Sequence, residues 1–194
     1  MTKRQLALKR IFDFVLGLLL LPLLLLPIVT LVILARLDTK ASGLFRHKRI
    51  GQHGKPFMIY KIRSLKVEPH QLGNFDRSAT AYGKWLRRSK LDELPQLFNV
   101  LLGHMSFVGP RPDVPGFADQ LTGDDRIILE VKPGITGPAT LKYRDEDDIL
   151  GLQSDPEHYN RTIIWPDKVK INRNYVENWS FYLDLTYLFR SIRK

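Results

Sequence analysis

The longest apolar stretch of the chain lies near its start. Residues 15–35 read VLGLLLLPLLLLPIVTLVILA without a charge, long enough for one straight helix to cross a hydrocarbon core of about 30 Å. A cleaved signal peptide is disfavoured, because its apolar region is usually only about 7–15 residues long and a small-residue cleavage site should follow, whereas Arg36 follows here. We therefore predict a membrane segment over residues 1–37 and a second domain over 38–194.

Charges and prolines bear on how this segment sits in the bilayer. Basic residues stand on both sides of it: Lys3, Arg4, Lys9 and Arg10 before, and Arg36, Lys40, Arg46, Lys48 and Arg49 after. The positive-inside rule would place both flanks in the cytoplasm, which a single crossing cannot do. Pro22 and Pro27 each remove a helical hydrogen bond, so a re-entrant hairpin broken there and a kinked single-pass helix are both open. We expect Asp13 to lie at the interface beside Arg10 rather than to be a functional intramembrane carboxylate.

After the apolar segment the pattern changes to short elements. Residues 43–65 carry a turn signal at 51–54, followed by Pro56 and flanked by apolar and aromatic runs, and so predict a β-hairpin. Lys61 and Arg63 would then project from one face of an extended segment, the alternative being a solvated basic edge that discourages aggregation. Residues 68–81 read as a loop and 82–88 as a short basic helical turn. The fold class is therefore α+β, mainly helical.

The stretch 89–112, SKLDELPQLFNVLLGHMSFVGPRP, combines a helical pattern with clustered charges. Apolar residues recur at helical spacing: Leu91, Leu94, Leu97, Phe98, Leu101 and Leu102. Because Pro95 is best tolerated within a first turn, Asp92 and Glu93 are predicted at or near the helix N-terminus, and Gly103 ends the helix.

Asp92 and Glu93, the acidic dyad, have a structural and a chemical interpretation. Acidic residues in a first turn often only satisfy the helix dipole, and Ser89 with Asp92 matches a capping pattern. Cations surround the dyad, however: Arg87, Arg88 and Lys90 before it, and Arg111 after it. Arg111 is held between Pro110 and Pro112, and a restricted guanidinium suits a phosphate in fixed geometry. Carboxylates and arginines together indicate a magnesium–phosphate site.

Composition narrows the classes of function further. The formal net charge is +10 and the pI about 9.9, which indicates an anionic partner or surface. Cysteine is absent, so disulfides, thiolate metal sites and a cysteine nucleophile are excluded. Residues 132–144 form either an anion-binding nest or a basic surface loop, and the acidic run 145–148 is predicted to be a solvated face or the start of a helix. The aromatic and basic tail, 169–194, suits a bilayer interface or a packed core helix.

Several motifs in order resemble one known family. KRIFD at 9–13, FRHKRIGQHGKPFMIYKIRSL at 45–65, LDELPQLFNVLLGHMSFVGPRP at 91–112 and KPGITGPA at 132–139 resemble the bacterial sugar transferases, the monotopic phosphoglycosyl transferases, in a minimal form. The resemblance runs from about residue 9 to residue 192. It implies transfer of a sugar 1-phosphate from a UDP-sugar to polyprenol (undecaprenyl) phosphate with release of UMP, at the cytoplasmic face of the bacterial inner membrane. The basic flanks of the apolar segment favour a cytoplasmic position for both termini.

The same resemblance assigns residues and partners. It implies that Asp92 is the nucleophile, forming a phosphosugar-aspartyl intermediate, and that Glu93, with Asp92, holds Mg²⁺. The phosphate-binding positions map to five basic residues: Lys61, Arg63, Arg87, Arg111 and Arg144. The implied fold is a helix-break-helix membrane hairpin with interfacial amphipathic helices and a small β-element. Membrane phospholipid is a further expected partner, nucleic acid is not, and a homodimer is compatible with the resemblance.

Two departures and one competing class accompany this interpretation. The family often has an acidic residue where His104 stands, and Ser-Pro at the membrane break where this chain has Leu21-Pro22. The sugar and the glycan pathway do not follow from the motifs, which handle phosphate and metal. A non-enzymatic, membrane-anchored basic module that binds anionic lipid or nucleic acid would also explain the charge, but not the dyad between arginines; release of UMP from a UDP-sugar separates the two.

Overall fold

The architecture of the chain is mainly helical, as predicted. The structure, a computed structural model, describes residues 1–67 and 78–193; the predicted loop over 68–81 lies mostly outside the described residues. The helices are α1 Lys3–Thr39, α2 Ala81–Ser89, α3 Gln96–Leu101, α4 Pro138–Lys142, α5 Glu146–Gly151, α6 Pro156–Tyr159, α7 Trp165–Glu177 and α8 Phe181–Ile192. The strands are β1 Leu44–Ile50, β2 Pro56–Ile62, β3 Ser106–Val108 and β4 Gly134–Thr136. Shorter 3₁₀ turns cover Gln52–Gly54, Leu91–Glu93, Ala118–Gln120 and Gly123–Leu129, and a π-helical turn covers Asn160–Ile164.

The N-terminal helix α1 is continuous. A capping box with Gln5 begins it, in which the Thr2 hydroxyl accepts from the Gln5 backbone and the Gln5 side chain accepts from the Thr2 backbone. Lys40, in the left-handed conformation at φ 52°, ends it. All 37 residues are helical, including Pro22 and Pro27, so the predicted helix-break-helix hairpin is not confirmed.

One side of α1 packs on the rest of the chain while the other side is exposed and apolar. Ala35 is buried with Ile62 and Leu86, and a methyl group at Gly17 would come within 2.9 Å of Leu101 Cδ2. Only 11% of its most apolar 18-residue window is buried, so α1 is not the core helix of a soluble protein. It is long and apolar enough to cross a membrane by length and composition, which indicates membrane association.

A buried polar network joins the start of α1 to the tail. Lys9 forms an ion pair with Asp184 of α8, whose carboxylate also accepts from the Tyr175 hydroxyl at 2.6 Å and from Trp179 Nε1 at 3.0 Å. Tyr175 and Trp179 belong to the main hydrophobic core. For this part of the tail the structure therefore favours a packed core helix. The outer side of α8 exposes large apolar side chains: Tyr182, Phe189 and Ile192.

The predicted pairing of Asp13 with Arg10 is wrong. Its side chain is buried and accepts from the Ser106 hydroxyl at 3.1 Å and from the Phe107 backbone at 3.0 Å. Arg10 lies elsewhere, because its guanidinium donates to the carbonyls of the last turn of α3, at 2.6 and 2.9 Å. Asp13 therefore joins α1 to β3, and its position at the membrane interface stays a prediction.

The two small sheets place the loops that carry the charged residues. β1 and β2 form the predicted antiparallel hairpin, with Phe45 opposite Lys61 and Arg49 opposite Phe57. β3 and β4 pair in parallel, and beyond β3 the Gly134 backbone donates to the Pro110 carbonyl at 2.8 Å. A Cβ at Gly134 would lie 2.1 Å from the Gly109 nitrogen, so only glycine permits this approach. The proline-flanked loop is thereby fixed against β4.

Candidate active site

The acidic dyad lies in its own short turn and not in a helix. Leu91–Glu93 form a single 3₁₀ turn between α2 and α3, and α3 begins only at Gln96. The dyad therefore lies near the N-terminus of this helix, as predicted, but in the turn that precedes it. Neither the N-cap of the 3₁₀ turn nor that of α3 makes a side-chain capping bond. Ser89 donates instead to the carbonyls of Trp85 and Leu86, so helix capping does not explain the two carboxylates.

Glu93 is held between two cations from different elements. Lys61 Nζ of β2 lies 2.9 Å from Glu93 Oε1, and both terminal nitrogens of Arg111 contact the same carboxylate, one of them at 3.2 Å from Oε2. Burial opposes ionisation of Glu93, but Arg111 and Lys61 outweigh burial and hold the pKa of Glu93 well below its usual range. Glu93 is therefore a fixed negative charge at neutral pH.

Asp92 has the opposite environment. Its side chain is 5% exposed, and its Oδ1 atom is buried without a hydrogen-bond partner. Burial raises the pKa of Asp92, an effect that nearby Lys61 partly offsets. Leaving a buried acceptor unpaired costs about 1–3 kcal/mol, so the fold keeps this oxygen available at a cost in stability, as expected of a group that reacts.

Arg111 binds the dyad rather than pointing into open space. Its Nη1 also donates to the Ile135 carbonyl at 3.4 Å, and Glu93 raises its pKa further above the usual range. The two-nitrogen contact with Glu93 is one that a lysine, with a single nitrogen, cannot copy.

We expect Arg111→Lys to lower turnover at least about tenfold although the charge is kept, because a charge-assisted hydrogen bond contributes about 1.5–3 kcal/mol. Turnover of the purified variant checks this. Arg126→Lys, at an exposed arginine that contacts the Leu121 carbonyl, is the control. Wild-type turnover in Arg111→Lys would mean that Arg111 only shapes its loop.

Arg87 reaches the dyad through charge. Its guanidinium forms an ion pair with Asp147 of α5, and its charge lowers the pKa of Asp92 among the weaker influences on that group. The acidic run 145–148 is largely exposed and begins α5, as predicted, and it also supplies a partner to a site arginine.

Two predicted phosphate-binding residues are engaged away from the dyad. Arg63 lies just beyond β2, where its Nε donates to the Ser42 carbonyl at 2.6 Å and its guanidinium lies 5.4 Å from the Phe45 ring centre. Arg144 donates to two carbonyls at the end of α8, at 3.2 and 3.4 Å. That Arg63 and Arg144 bind phosphate stays a prediction. The positions of their side chains, away from the dyad, do not support it.

A second group of charges, which the sequence analysis missed, lies next to the dyad. Lys168 Nζ contacts both oxygens of Glu146 at 2.7 Å. Partial burial raises the pKa of Asp113, while Lys168 and Arg49 lower it. Arg49 donates to the Pro112 carbonyl at 3.4 Å. The one signal in the sequence was Asp113 itself, an acidic residue directly after the proline-flanked arginine.

The resemblance implies Mg²⁺, and the dyad can be compared with what that ion requires. Mg²⁺ is usually bound through one or two carboxylates, the remaining ligands being substrate phosphates and water. Among the described residues no group of three or more acidic, histidine or cysteine side chains could hold a metal ion. The unpartnered Asp92 Oδ1 beside Glu93 fits an ion whose other ligands come from the substrate.

Comparison with known proteins agrees with the resemblance. The family model described as "Bacterial sugar transferase" matches residues 4–194. The chain is 36% identical to the uncharacterized sugar transferase EpsL of Bacillus subtilis, covering 96% of this chain and 86% of that protein. It is also 36% identical to the UDP-glucose:undecaprenyl-phosphate glucose-1-phosphate transferase of Escherichia coli, and 31% identical to the UDP-N-acetylgalactosamine-undecaprenyl-phosphate N-acetylgalactosaminephosphotransferase of Aeromonas hydrophila. It spans only 40% and 43% of these two proteins.

An apolar helix that indicates membrane association, joined to a domain that buries Asp92 and pairs Glu93 with two cations, is typical of a membrane-associated enzyme. The chain belongs to the bacterial sugar transferase family. The prediction of an enzyme is confirmed by this membership, and the non-enzymatic basic module is not supported.

Proposed function

We propose that this protein transfers a sugar 1-phosphate from a UDP-sugar to polyprenol phosphate and releases UMP. The observation that carries the proposal is the contrast within the dyad: Glu93 is ionised and held by Lys61 and Arg111, while Asp92 beside it keeps a buried oxygen without a partner. The names of the Escherichia coli and Aeromonas hydrophila relatives, which state a UDP-sugar and undecaprenyl phosphate, support the substrate classes.

The proposed reaction has two steps at one phosphorus atom. An Asp92 carboxylate oxygen attacks the phosphorus that carries the sugar; the new O–P bond forms as the bond to the bridging oxygen breaks, and UMP leaves with that electron pair. An oxygen of polyprenol phosphate then attacks the same phosphorus and displaces the Asp92 carboxylate. The nucleophile is regenerated, and the product is a polyprenol diphosphate sugar. Two anionic substrates therefore never need to be bound at once.

The residues around Asp92 have distinct tasks in this scheme. Burial removes water from the carboxylate, which makes it a better nucleophile and disfavours hydrolysis of the acyl phosphate. Lys61 and Arg111 place positive charge next to the substrate phosphates. Glu93 neutralises part of this charge, so the two cations are stable in the site before the substrate binds. Mg²⁺, held by the dyad and the substrate phosphates, would reduce the repulsion between Asp92 and the diphosphate and stabilise departing UMP.

Release of UMP tests the proposal directly. Purified protein in detergent or nanodiscs is incubated with Mg²⁺, undecaprenyl phosphate and each of a panel of UDP-sugars, and UMP is measured. At least one UDP-sugar should give UMP that depends on the lipid phosphate over many turnovers. Failure with every donor, under conditions in which a relative is active, would reject the proposed reaction. The same panel identifies the sugar.

We also propose that α1 enters the membrane from the cytoplasmic face and returns to it. One domain contacts α1 near both ends: Asp184 binds Lys9 near its start, and near its end the Thr80 hydroxyl donates to Asp38 at 2.5 Å. Because one domain contacts both ends, both ends lie on one side of the bilayer. The exposed apolar side of α1 then contacts lipid, and Pro22 and Pro27 permit bending.

Labelling of single cysteines tests this topology. The chain has no cysteine, so Thr2→Cys gives a unique thiol for a membrane-impermeant reagent. We expect no labelling of Thr2→Cys in intact cells but labelling after lysis. In Thr2→Cys combined with Pro22→Leu and Pro27→Leu, partial labelling should appear in intact cells, because leucine restores the hydrogen bonds that proline removes and favours a straight apolar helix that spans the bilayer.

A cysteine in the folded domain provides the control. Ser154→Cys lies at an exposed position and should react only after lysis in every background. Strong labelling of Thr2→Cys in intact cells, with Ser154→Cys protected, would show an ordinary single-pass anchor.

A further inference from the structure

Arg49 is a partly buried cation to which the proposed reaction assigns no role. It lies near the end of β1, and burial lowers the pKa of its guanidinium. Burying a guanidinium is costly unless it is paired and hydrogen-bonded. Its contact with the Pro112 carbonyl is long, 3.4 Å, and its Nε atom is buried without a partner.

The position of Arg49 places it beside the dyad. The hairpin register pairs Phe45 with Lys61 and Arg49 with Phe57, and since side chains alternate along a strand, Arg49 and Lys61 share one face of the hairpin. The backbone of Ile50 also donates to the Asp113 carbonyl at 2.9 Å, which holds this end of β1 against the loop that carries Arg111. Arg49 is close enough to Arg111 and Glu93 for their charges to affect its pKa.

Arg49 and Arg111 differ in the hydrogen-bond partners of their guanidinium groups. Both terminal nitrogens of Arg111 are taken by Glu93. For Arg49, by contrast, no carboxylate oxygen of the part of the chain that the structure describes lies within ion-pair distance: Asp113 and Glu146 act on it only through charge. The Arg49 guanidinium therefore has a hydrogen-bond donor without a partner next to a site for anionic substrates, and a bound anion would accept from it.

We propose that Arg49 contacts the substrate directly and binds a phosphate oxygen next to Glu93 and Arg111. This inference rests on the proposed function, since it assumes phosphate-bearing substrates at the dyad. The same chemistry is offered by the diphosphate of the UDP-sugar and by the phosphate of the polyprenol, so the experiment separates these sources.

The test compares Arg49→Gln with Arg46→Gln. Arg46 lies on the same strand but on the other face of the hairpin, is exposed, and stacks 5.6 Å from the Tyr60 ring centre, so it matches Arg49 in charge and sequence position. For each protein, affinity for UDP is measured by equilibrium dialysis with Mg²⁺, and KM for undecaprenyl phosphate and kcat are measured by UMP release.

We expect Arg49→Gln to weaken one of these two interactions about 10- to 100-fold, as the loss of a charge-assisted hydrogen bond predicts, with a change of about twofold or less in Arg46→Gln. A weaker affinity for UDP assigns Arg49 to the donor diphosphate, and a higher KM for undecaprenyl phosphate assigns it to the acceptor. If both change, one site binds both phosphates in turn, which also supports the proposal.

Unchanged UDP affinity and unchanged KM for undecaprenyl phosphate in folded Arg49→Gln would overturn the inference, as would a loss confined to kcat and melting temperature, which would make Arg49 a structural support for the Arg111 loop. If Arg49→Gln does not fold, Arg49→Lys is judged by the same two outcomes. A wild-type protein that releases no UMP rejects the proposed function instead, whereas an active wild type with unaffected Arg49 variants rejects only this inference.

Discussion

Asp92→Asn is expected to lower UMP release at least about a thousandfold, the largest effect of any single substitution in this chain. An amide nitrogen or oxygen cannot form the aspartyl phosphate, so both steps of the proposed reaction are lost together. The amide keeps nearly the volume of the carboxylate, so the 3₁₀ turn should fold as before. The measurement is steady-state release of UMP with purified protein and the preferred donor.

An exchange experiment separates a covalent intermediate from direct transfer. With no polyprenol phosphate present, wild-type protein should exchange labelled UMP into the UDP-sugar, because the first step is reversible on its own. Asp92→Asn should show no exchange, while Asp148→Asn, at an exposed position of the same charge, should behave as wild type. Lack of exchange in an otherwise active wild type would favour direct attack by the lipid phosphate and remove the nucleophile from Asp92.

The same substitution should make the fold more stable, which argues that Asp92 is kept for chemistry. Burial raises the pKa of Asp92 above its ordinary 3.8, so ionisation costs folding free energy at any pH above that value and costs nothing below it. Asparagine removes this cost at neutral pH. Each kcal/mol gained raises the melting temperature of a domain of this size by about 2–4 °C, so the gain should be measurable as a higher melting temperature. The rise should shrink as the pH falls towards 4.

Structural features that are determined by residues close together in the sequence could be predicted from it. The hairpin follows from the turn at Gly51–Gly54 between two apolar runs, and α1 follows from its uncharged length. The charged loop at Arg111 was recognisable because two prolines restrict it. In each case the physical cause lies within a few positions of the effect, so the pattern of residues carries the information.

Contacts between distant parts of the chain could not be predicted in this way. Asp13 looked interfacial because it borders an apolar segment, but its partner Ser106 is 93 residues away. The acidic run at 145–148 could be predicted as a helix start or solvated face, but its cationic partners, Arg87 and Lys168, come from α2 and α7. Arg49 looked like one more basic flank until the hairpin register put it on the face of Lys61. The charge of a side chain does not indicate which residue it pairs with, because the partner is set by the tertiary fold.

Glu93→Gln is expected to damage both stability and turnover. The change removes the negative charge that Lys61 and Arg111 share and leaves two partly buried cations next to each other. Breaking a buried ion pair by removing one partner costs about 3–5 kcal/mol, and the lower end applies here because the Arg111 side chain is 35% exposed. At about 2–4 °C per kcal/mol, the melting temperature should fall by roughly 6–12 °C. Turnover should fall about a hundredfold or more, since the groups that position the phosphates lose their anchor.

A second substitution separates these two effects. In Glu93→Gln combined with Lys61→Met, one of the uncompensated cations is replaced by an apolar side chain of similar length, so part of the lost melting temperature should return. Turnover should not return, because neither the carboxylate nor the ammonium group is restored. Arg63→Met, just beyond β2 but engaged with Ser42, is the matched control and should give no recovery in the same background. If Glu93→Gln alone melted and turned over like the wild type, the charge cluster would be a surface feature, and the assignment of the dyad as the active site would be lost.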